Sequence, residues 1–468
     1  MRIILIWPKG FRTDIVIPLA LGYLKGNINN MEYDVKIIDC ALHNIDSASP
    51  ILQKMIREFN PQLVGVSCWS ETYPESMRIL EKVKSINENI ITVIGGVHAT
   101  HNSGAIMENK NVDFLFRGEA ELSFSEFTEE IRKEKPDLSK IKGLTYRSKT
   151  GYLINNEMVW EKDLDKIRLP DYDGIDLEGY IKRGYRYHTH NTRNAPMWIS
   201  RGCPYQCEFC SAPMHNGRTV RYHSVEYMMT WIKSLYYDKK IRTINIIDDN
   251  FTFDIKYAKE LCRAIIKLNL KDLHYGTPNG VRMQHLDKEL LELMKQAGWK
   301  YLAIAPESGS IRTLKRMEKN LDPAIVPRIV KEIKDTGLKA IGFFIVGYPG
   351  ETEEDIKDTV KLIRNCRFDF FWIANFQPIP ATPVYERLVE KGEISPEFLP
   401  RQYNSGDIGY IPENLKNFNF PLLRLKEYLY LVFRNPSSIL YLIRNFSNKE
   451  VTIKIFSNII NMFKISRK

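Results

Sequence analysis

The chain has 468 residues, more than one ordinary core can organise, so two or three domains are expected, each burying its own apolar interior. The formal charge is +10, from 67 Lys and Arg against 57 Asp and Glu, but residues 421–468 hold nine basic and two acidic side chains. The basic excess therefore sits largely in the tail, which argues against a basic stripe on the folded body and against a nucleic-acid partner. The opening MRIILIWPKG reads as a buried strand rather than an export signal, and seven cysteines make an odd number. Both point to a reducing cytoplasm, where clustered thiols serve metal or redox chemistry. No run of about twenty apolar residues predicts a transmembrane helix.

In chain order, the first 135 residues alternate short β-branched apolar runs (RIILIW, DVKIID, LVGVSCW, ITVIGG, DFLF) with amphipathic stretches such as PLALGYLKGNI, ILQKMIREF and SMRILEKVKSI. Continuous apolar strands separated by helices predict a parallel sheet covered on both faces, a doubly wound α/β domain. Ligands of such domains sit at the carboxyl ends of the strands. Here those ends carry Ser67, the Gly95-Gly96 pair with His98 and Thr100, and Gly118 with Glu119. Residues 139–195 break the alternation, and a Ser-Lys-Thr-Gly turn within them reads as a hairpin in a connector. From MWISRGC the alternation restarts through TINIIDD, LHYGTPNG, YLAIAPESG, AIGFFIVGYPG and FWIANFQPIP. Six βα units predict an incomplete barrel over residues 196–400, with polar or glycine-rich strand ends where α/β barrels assemble active sites.

The loop after the first of these strands, SRGCPYQCEFCSAP, spaces Cys203, Cys207 and Cys210 four and then three residues apart. Closely spaced cysteines suit an iron-sulfur cluster, and three of them leave one iron of a cube without a protein ligand. The alternative is a closed zinc site, for which His215 is near enough to complete a Cys3His set.

This CxxxCxxC spacing, with the aromatic Phe209 before the last cysteine, resembles the radical S-adenosylmethionine superfamily. DDNFTFD (248–254), APESGS (305–310), VGYPGETEED (346–355) and PIPATPVYE (378–386) are similar, in order, to the strand-end motifs of its branch with an N-terminal cobalamin-binding domain. PLALGYL, GGVHAT and FRGEAEL match that branch too, so the resemblance spans roughly residues 1 to 400. It implies a flavodoxin-like, B12-binding type domain (1–138), a linker with the hairpin (139–195), a partial (β/α)6 TIM-like barrel (196–400) and a basic amphipathic helical region (401–468). It also implies a 4Fe-4S cluster on Cys203, Cys207 and Cys210, whose open iron binds S-adenosylmethionine. Reductive cleavage would then release a 5'-deoxyadenosyl radical.

By the same resemblance Phe209 lies near the adenine, and Asp248, Asp249, Glu307, Ser308 and Gly347 contact the cofactor. Many relatives have Gly-Gly-Glu where this chain has Asp248-Asp249, whose alternative role is a helix N-cap. Ser67, Gly95, Gly96, His98, Thr100, Gly118 and Glu119 would line a cobalamin site. No D-x-H-x-x-G motif is present, so the cobalt is expected to lack a histidine from that motif. No side chain is identified as catalytic beyond these sets.

The expected activity is modification of an unactivated carbon of a small-molecule or lipid substrate, with methyl transfer favoured over cyclisation or coupling. An electron donor such as flavodoxin or ferredoxin is the expected partner. RNA methylthiolation would call for additional N-terminal cluster cysteines and a small basic C-terminal β-barrel, and the sequence shows neither. The tail mixes Lys and Arg with Leu, Ile, Phe and Tyr at helical spacing. It can cap the barrel or lie on an anionic membrane surface, and capping is the favoured reading.

Overall fold

The computed structural model describes residues 1–10, 16–28, 31–185, 193–400, 409–436 and 438, and the chain forms two compact units. The first comprises Met1–Tyr180, Phe209–Arg221 and Pro378–Gln402; the second comprises Ile181–Glu208, Tyr222–Gln377 and Tyr403–Lys468.

In the first unit, strands β1 (Arg2–Trp7), β2 (Asp34–Asp39), β3 (Leu63–Ser67), β4 (Ile91–Gly95) and β5 (Phe114–Phe116) pair in parallel in the order β2-β1-β3-β4-β5. This is the flavodoxin-like order, whose switch point lies between β1 and β3. The alternation along β1 shows why both faces are apolar. Ile4 and Ile6 enter a core that Leu52 and Ile56 of helix Pro50–Phe59 share with Ile79, Leu80 and Val83 of helix Tyr73–Ile86. Ile3, Leu5 and Trp7 enter the opposite core, with Leu21 of helix Leu19–Asn27 and Phe124 and Phe127 of helix Glu121–Glu130. Gly65 and Ser67 stand opposite Val93 and Gly95, so β3 and β4 end level.

The Ser-Lys-Thr-Gly turn forms the expected hairpin, between β6 (Leu144–Arg147) and β7 (Leu153–Asn155). The hairpin is not a connector, however: β6 pairs antiparallel with β5 and carries the sheet to seven strands. Full burial of Leu144 and Thr145 is the reason, since an isolated two-stranded hairpin could not hide them.

In the second unit, β8 (Asn194–Met197), β9 (Thr243–Ile246), β10 (His274–Val281), β11 (Trp299–Glu307), β12 (Lys339–Val346) and β13 (Phe370–Asn375) run parallel in sequence order. β8 and β13 are the two margins, which leaves the barrel open. Several of the intervening helices begin at side-chain caps. Asp254 accepts from Lys256 and Tyr257, Asp287 from Leu290, and Thr352 forms a capping box with Asp355.

Within the described part of the C-terminal region, helix Phe420–Arg434 belongs to this unit and covers the β13 margin. The Ile373 amide donates to the Tyr428 hydroxyl at 3.3 Å, and Arg424 donates to the Asn375 side chain. The helix buries Arg424 and Glu427 and leaves Leu422, Leu429 and Phe433 exposed. Phe420 and Leu431 are buried beside Arg424 and Glu427, Tyr428 stacks on Phe371, and Glu427 takes a two-point bond from Arg364, so the inner face mixes apolar packing with paired charges. Among the described residues no helix is long and apolar enough to cross a membrane. The remainder of the basic tail, from 439 onward, and the stretch 401–408 lie outside the described residues.

Candidate active site

The cysteine loop follows β8 and the short segment Ser200–Arg201. Cys203 and Cys207 belong to the second unit, whereas Phe209 and Cys210 fall in the first. All three cysteines are half-buried, and none of the seven in the chain forms a disulfide. The other four are fully enclosed. Burial pushes the thiols of Cys68, Cys262 and Cys366 up to about 12, and that of Cys40 higher still, so they are inert at neutral pH. Burial also raises Cys203, where the charges of Asp249 and Cys207 add to the rise and that of Arg282 opposes it. The chemistry of the donor set fits an iron-sulfur cluster: three accessible soft ligands at the spacing expected for one. Among the described residues no three His, Cys, Asp or Glu side chains are already gathered as metal ligands.

The loop rests on the second unit through several bonds. Glu208 donates its amide to the Met317 carbonyl at 3.1 Å, and Tyr348 bonds the Glu208 carboxylate at 3.3 Å. Tyr205, midway between Cys203 and Cys207, bonds His285 and lies under the Arg282 guanidinium, 3.4 Å from the ring centroid. A cleft of about 850 Å3 opens beside the loop, lined by Pro204, Tyr205, Gln206, Ile311, Leu314 and Lys315 among others.

Asp248, at the end of β9, is fully buried. It accepts from the amides of Ile199 (2.7 Å) and Ser200 (2.6 Å) and from the Ser200 hydroxyl (2.6 Å). Burial drives its pKa up to about 7 against the pull of those donors. Asp248 thus anchors the segment leading into the cysteine loop. The N-cap role belongs instead to Asp254. Asp249 is exposed, and its charge reaches Cys203.

Glu307, the last residue of β11, has left-handed backbone (φ 64°) and accepts from Lys319 Nζ at 2.8 Å. Ser308 is buried, sharing a hydrogen bond with Thr359 (3.0 Å) and accepting from the Ser310 amide (3.1 Å), so its hydroxyl serves the chain itself. Gly347 (φ 79°) donates its amide to Glu351 at 2.5 Å. Glu351 is buried, its carboxyl is pushed up to about 8, and its second oxygen has no partner among the described residues. Sequence reasoning missed Arg282, Lys319 and Glu351. For Arg282 and Glu351 the available signal was their position, just after strand ends of the barrel; Lys319, beyond helix Ile311–Arg316, carried none.

In the first unit, Gly96 (φ 108°) could not be another residue, because a Cβ there would lie 2.7 Å from the Cys68 carbonyl oxygen. The β3 and β4 ends are cross-linked around it. His98 donates its amide to Cys68 (3.1 Å), and Thr100 donates its hydroxyl to Gly96 (3.0 Å) while accepting from the Gly118 amide (2.9 Å). The Ser67 carbonyl accepts from Ser76 at 3.2 Å. The His98 ring lies 3.0 Å from the Ser70 hydroxyl, and burial lowers its pKa to about 4, which keeps it neutral. Glu119 forms a buried two-point pair with Arg221 (2.6 and 2.8 Å), and Arg221 also donates to the Glu161 and Asn216 carbonyls at 2.7 Å. Glu119 is thereby held in an internal ion pair with Arg221.

A family model described as the radical SAM superfamily matches residues 197–363, and one described as the B12 binding domain matches residues 12–128. An uncharacterized methyltransferase of Pyrococcus horikoshii is 30% identical over 370 residues, 79% of this chain and 78% of the relative. The cytidylyl-2-hydroxyethylphosphonate methyltransferase of Streptomyces wedmorensis is 26% identical over 447 residues, covering 85% of this chain and 83% of the relative. Among solved structures, the radical S-adenosylmethionine methyltransferase TsrM of Kitasatospora setae, with tryptophan substrate and a SAM analogue bound, superposes with a TM-score of 0.72 at 17% identity. That match covers 89% of this chain and 86% of TsrM and shows a shared fold. The chain belongs to the radical SAM superfamily, in the branch that carries a B12-binding domain.

Proposed function

We propose that this enzyme transfers a methyl group to an unactivated carbon of a small-molecule or lipid substrate, using a 4Fe-4S cluster, S-adenosylmethionine and cobalamin. The observation that carries this reading is the loop after β8, which holds the chain's only half-buried cysteines, Cys203, Cys207 and Cys210, while the other four are sealed in the cores. These three would hold the cluster, and the fold of the loop leaves them to be drawn together by the group they bind. When bound, the cluster and nucleotide supply a 5'-deoxyadenosyl radical, and the corrinoid supplies the methyl group.

The chain's own residues do the positioning. Asp248 fixes the entry to the cysteine loop, Phe209 would flank the adenine, and Asp249, Glu307 and Gly347 would meet the nucleotide at the strand ends. In the first domain, residues 1–138, Gly95 and Gly96 admit a ligand close to the backbone, with Ser67, His98, Thr100 and Gly118 around them. The cleft beside Pro204–Gln206 leaves the cluster loop within reach of a low-potential electron donor such as flavodoxin or ferredoxin. Methyl transfer is favoured because the two similar relatives are named as methyltransferases, one of them uncharacterized.

The test is anaerobic reconstitution, metal and sulfide analysis, and assay for 5'-deoxyadenosine and bound corrinoid, with labelled S-adenosylmethionine and candidate substrates. Label in the product supports transfer, whereas 5'-deoxyadenosine with an unlabelled cyclised or coupled product favours the other outcome. One zinc per chain with no iron or sulfide would sink the enzymatic reading.

A further inference from the structure

Arg282 follows directly on β10, at the carboxyl end of a barrel strand, and is half-buried. Its guanidinium is fixed from two sides. One face lies 3.4 Å from the centroid of Tyr205, the residue midway between Cys203 and Cys207, and Nη2 donates to the carbonyls of Lys319 (2.6 Å) and Asn320 (3.3 Å). The receiving segment is itself rigidly set, because Glu318 and Asn320 both take left-handed backbone (φ 48° and 47°) and Gln284 donates to the Asn320 carbonyl at 2.9 Å. Tyr205 is held in turn by His285.

The charges nearby are not equivalent. Lys319 is compensated by Glu307 at 2.8 Å. Arg282 has no carboxylate within ion-pair distance among the described residues, and its hydrogen-bond partners are neutral carbonyls. An ion held without a counter-ion is costly unless the site gains its negative charge from elsewhere. The charge of Arg282 is felt at Cys203, Tyr205 and Lys319.

We infer that Arg282 is a positioning residue whose fixed positive charge serves as counter-ion to the cluster ligated by Cys203 and Cys207 and eases its one-electron reduction. The inference rests on the cluster reading proposed above. In that step one electron from a low-potential carrier, or from dithionite, enters the cluster with no proton uptake. The site becomes more negative by one unit, which a nearby immobile cation stabilises. Charge and hydrogen bonding around the ligands are the protein's means of setting such potentials.

The experiment is a spectroscopically monitored redox titration of the reconstituted full-length enzyme, with iron and sulfide content measured on the same samples. Arg282→Gln keeps a donor for the Lys319 carbonyl but removes the charge. Its reduced-to-oxidised ratio at a fixed potential should fall at least tenfold, equivalent to a midpoint about 59 mV lower for a one-electron couple. Arg282→Lys should restore the wild-type ratio to within a few-fold. A Gln variant with full iron and sulfide and an unchanged midpoint overturns the inference, as does one whose only defect is weaker S-adenosylmethionine binding. If the Gln variant takes up no iron, the Lys variant decides: a wild-type midpoint supports the fixed charge, and a midpoint lowered tenfold in ratio overturns it. Failure of the wild type itself to hold iron and sulfide would instead sink the cluster reading.

Discussion

Replacing Asp248 by Asn removes a titrating group from the interior while keeping an acceptor for one of the two amides, Ile199 or Ser200, that bond its two oxygens. In the folded chain the Asp248 carboxyl titrates at about 7, against an ordinary value of 3.8. Between those values the folded protein holds a proton that the unfolded chain has released. The group's stabilising contribution is therefore complete at acid pH, declines as pH rises toward 7 and is lost above it. At about 1.36 kcal/mol per pKa unit, the wild type should lose up to about 3 kcal/mol relative to Asp248→Asn between pH 5 and pH 8. The variant also places an amide N–H against a backbone donor, at a cost of about 1–3 kcal/mol that does not vary with pH. Glu351, raised to about 8, titrates in both proteins, so only their difference isolates Asp248. Denaturant unfolding of both proteins under reducing conditions at the two pH values measures it. Parallel pH curves would refute the reasoning, because they would mean that the buried carboxyl is already ionised at pH 5.

Arg221→Met should destabilise the first unit by about 3–5 kcal/mol, because it strands the buried Glu119 carboxylate. Adding Glu119→Gln should recover part of that loss in the same unfolding assay. Gly96→Ala combines a left-handed backbone with a 2.7 Å clash against backbone, and should cost at least about 1–3 kcal/mol and reduce corrinoid uptake on reconstitution. Ala at Cys203, Cys207 and Cys210 together should abolish iron and sulfide uptake and 5'-deoxyadenosine formation. It should move the unfolding midpoint of the metal-free protein little, since all three thiols are only half-buried.

The strands of both units were legible because elements covered on both faces must be apolar throughout, as in LVGVS of β3, and the grouping of three cysteines on one loop was plain in the sequence, although their expected role as cluster ligands rested on the whole ordered set of strand-end motifs. Contacts across long sequence separation were not. Glu119 sits at a strand-end motif that suggests a ligand, yet its partner Arg221 lies 102 residues away. Asp248 has the chemistry to meet a cationic amine, but its partners are amides 48 and 49 residues earlier. The C-terminal helix is the sharpest case. Its Leu and Tyr spacing suggests an apolar inner face, and Phe420 and Leu431 are indeed buried, but the same face also buries Arg424 and Glu427, paired with Asn375 and Arg364.

That covered margin bears on how the chain tolerates shortening. A protein cut before Phe420 would keep all six barrel strands but bare the amide of Ile373 and the flank of β13, an apolar template to which the same strand of another copy could add. Loss of the helix would then show first as progressive self-association in solution, before any loss of secondary structure.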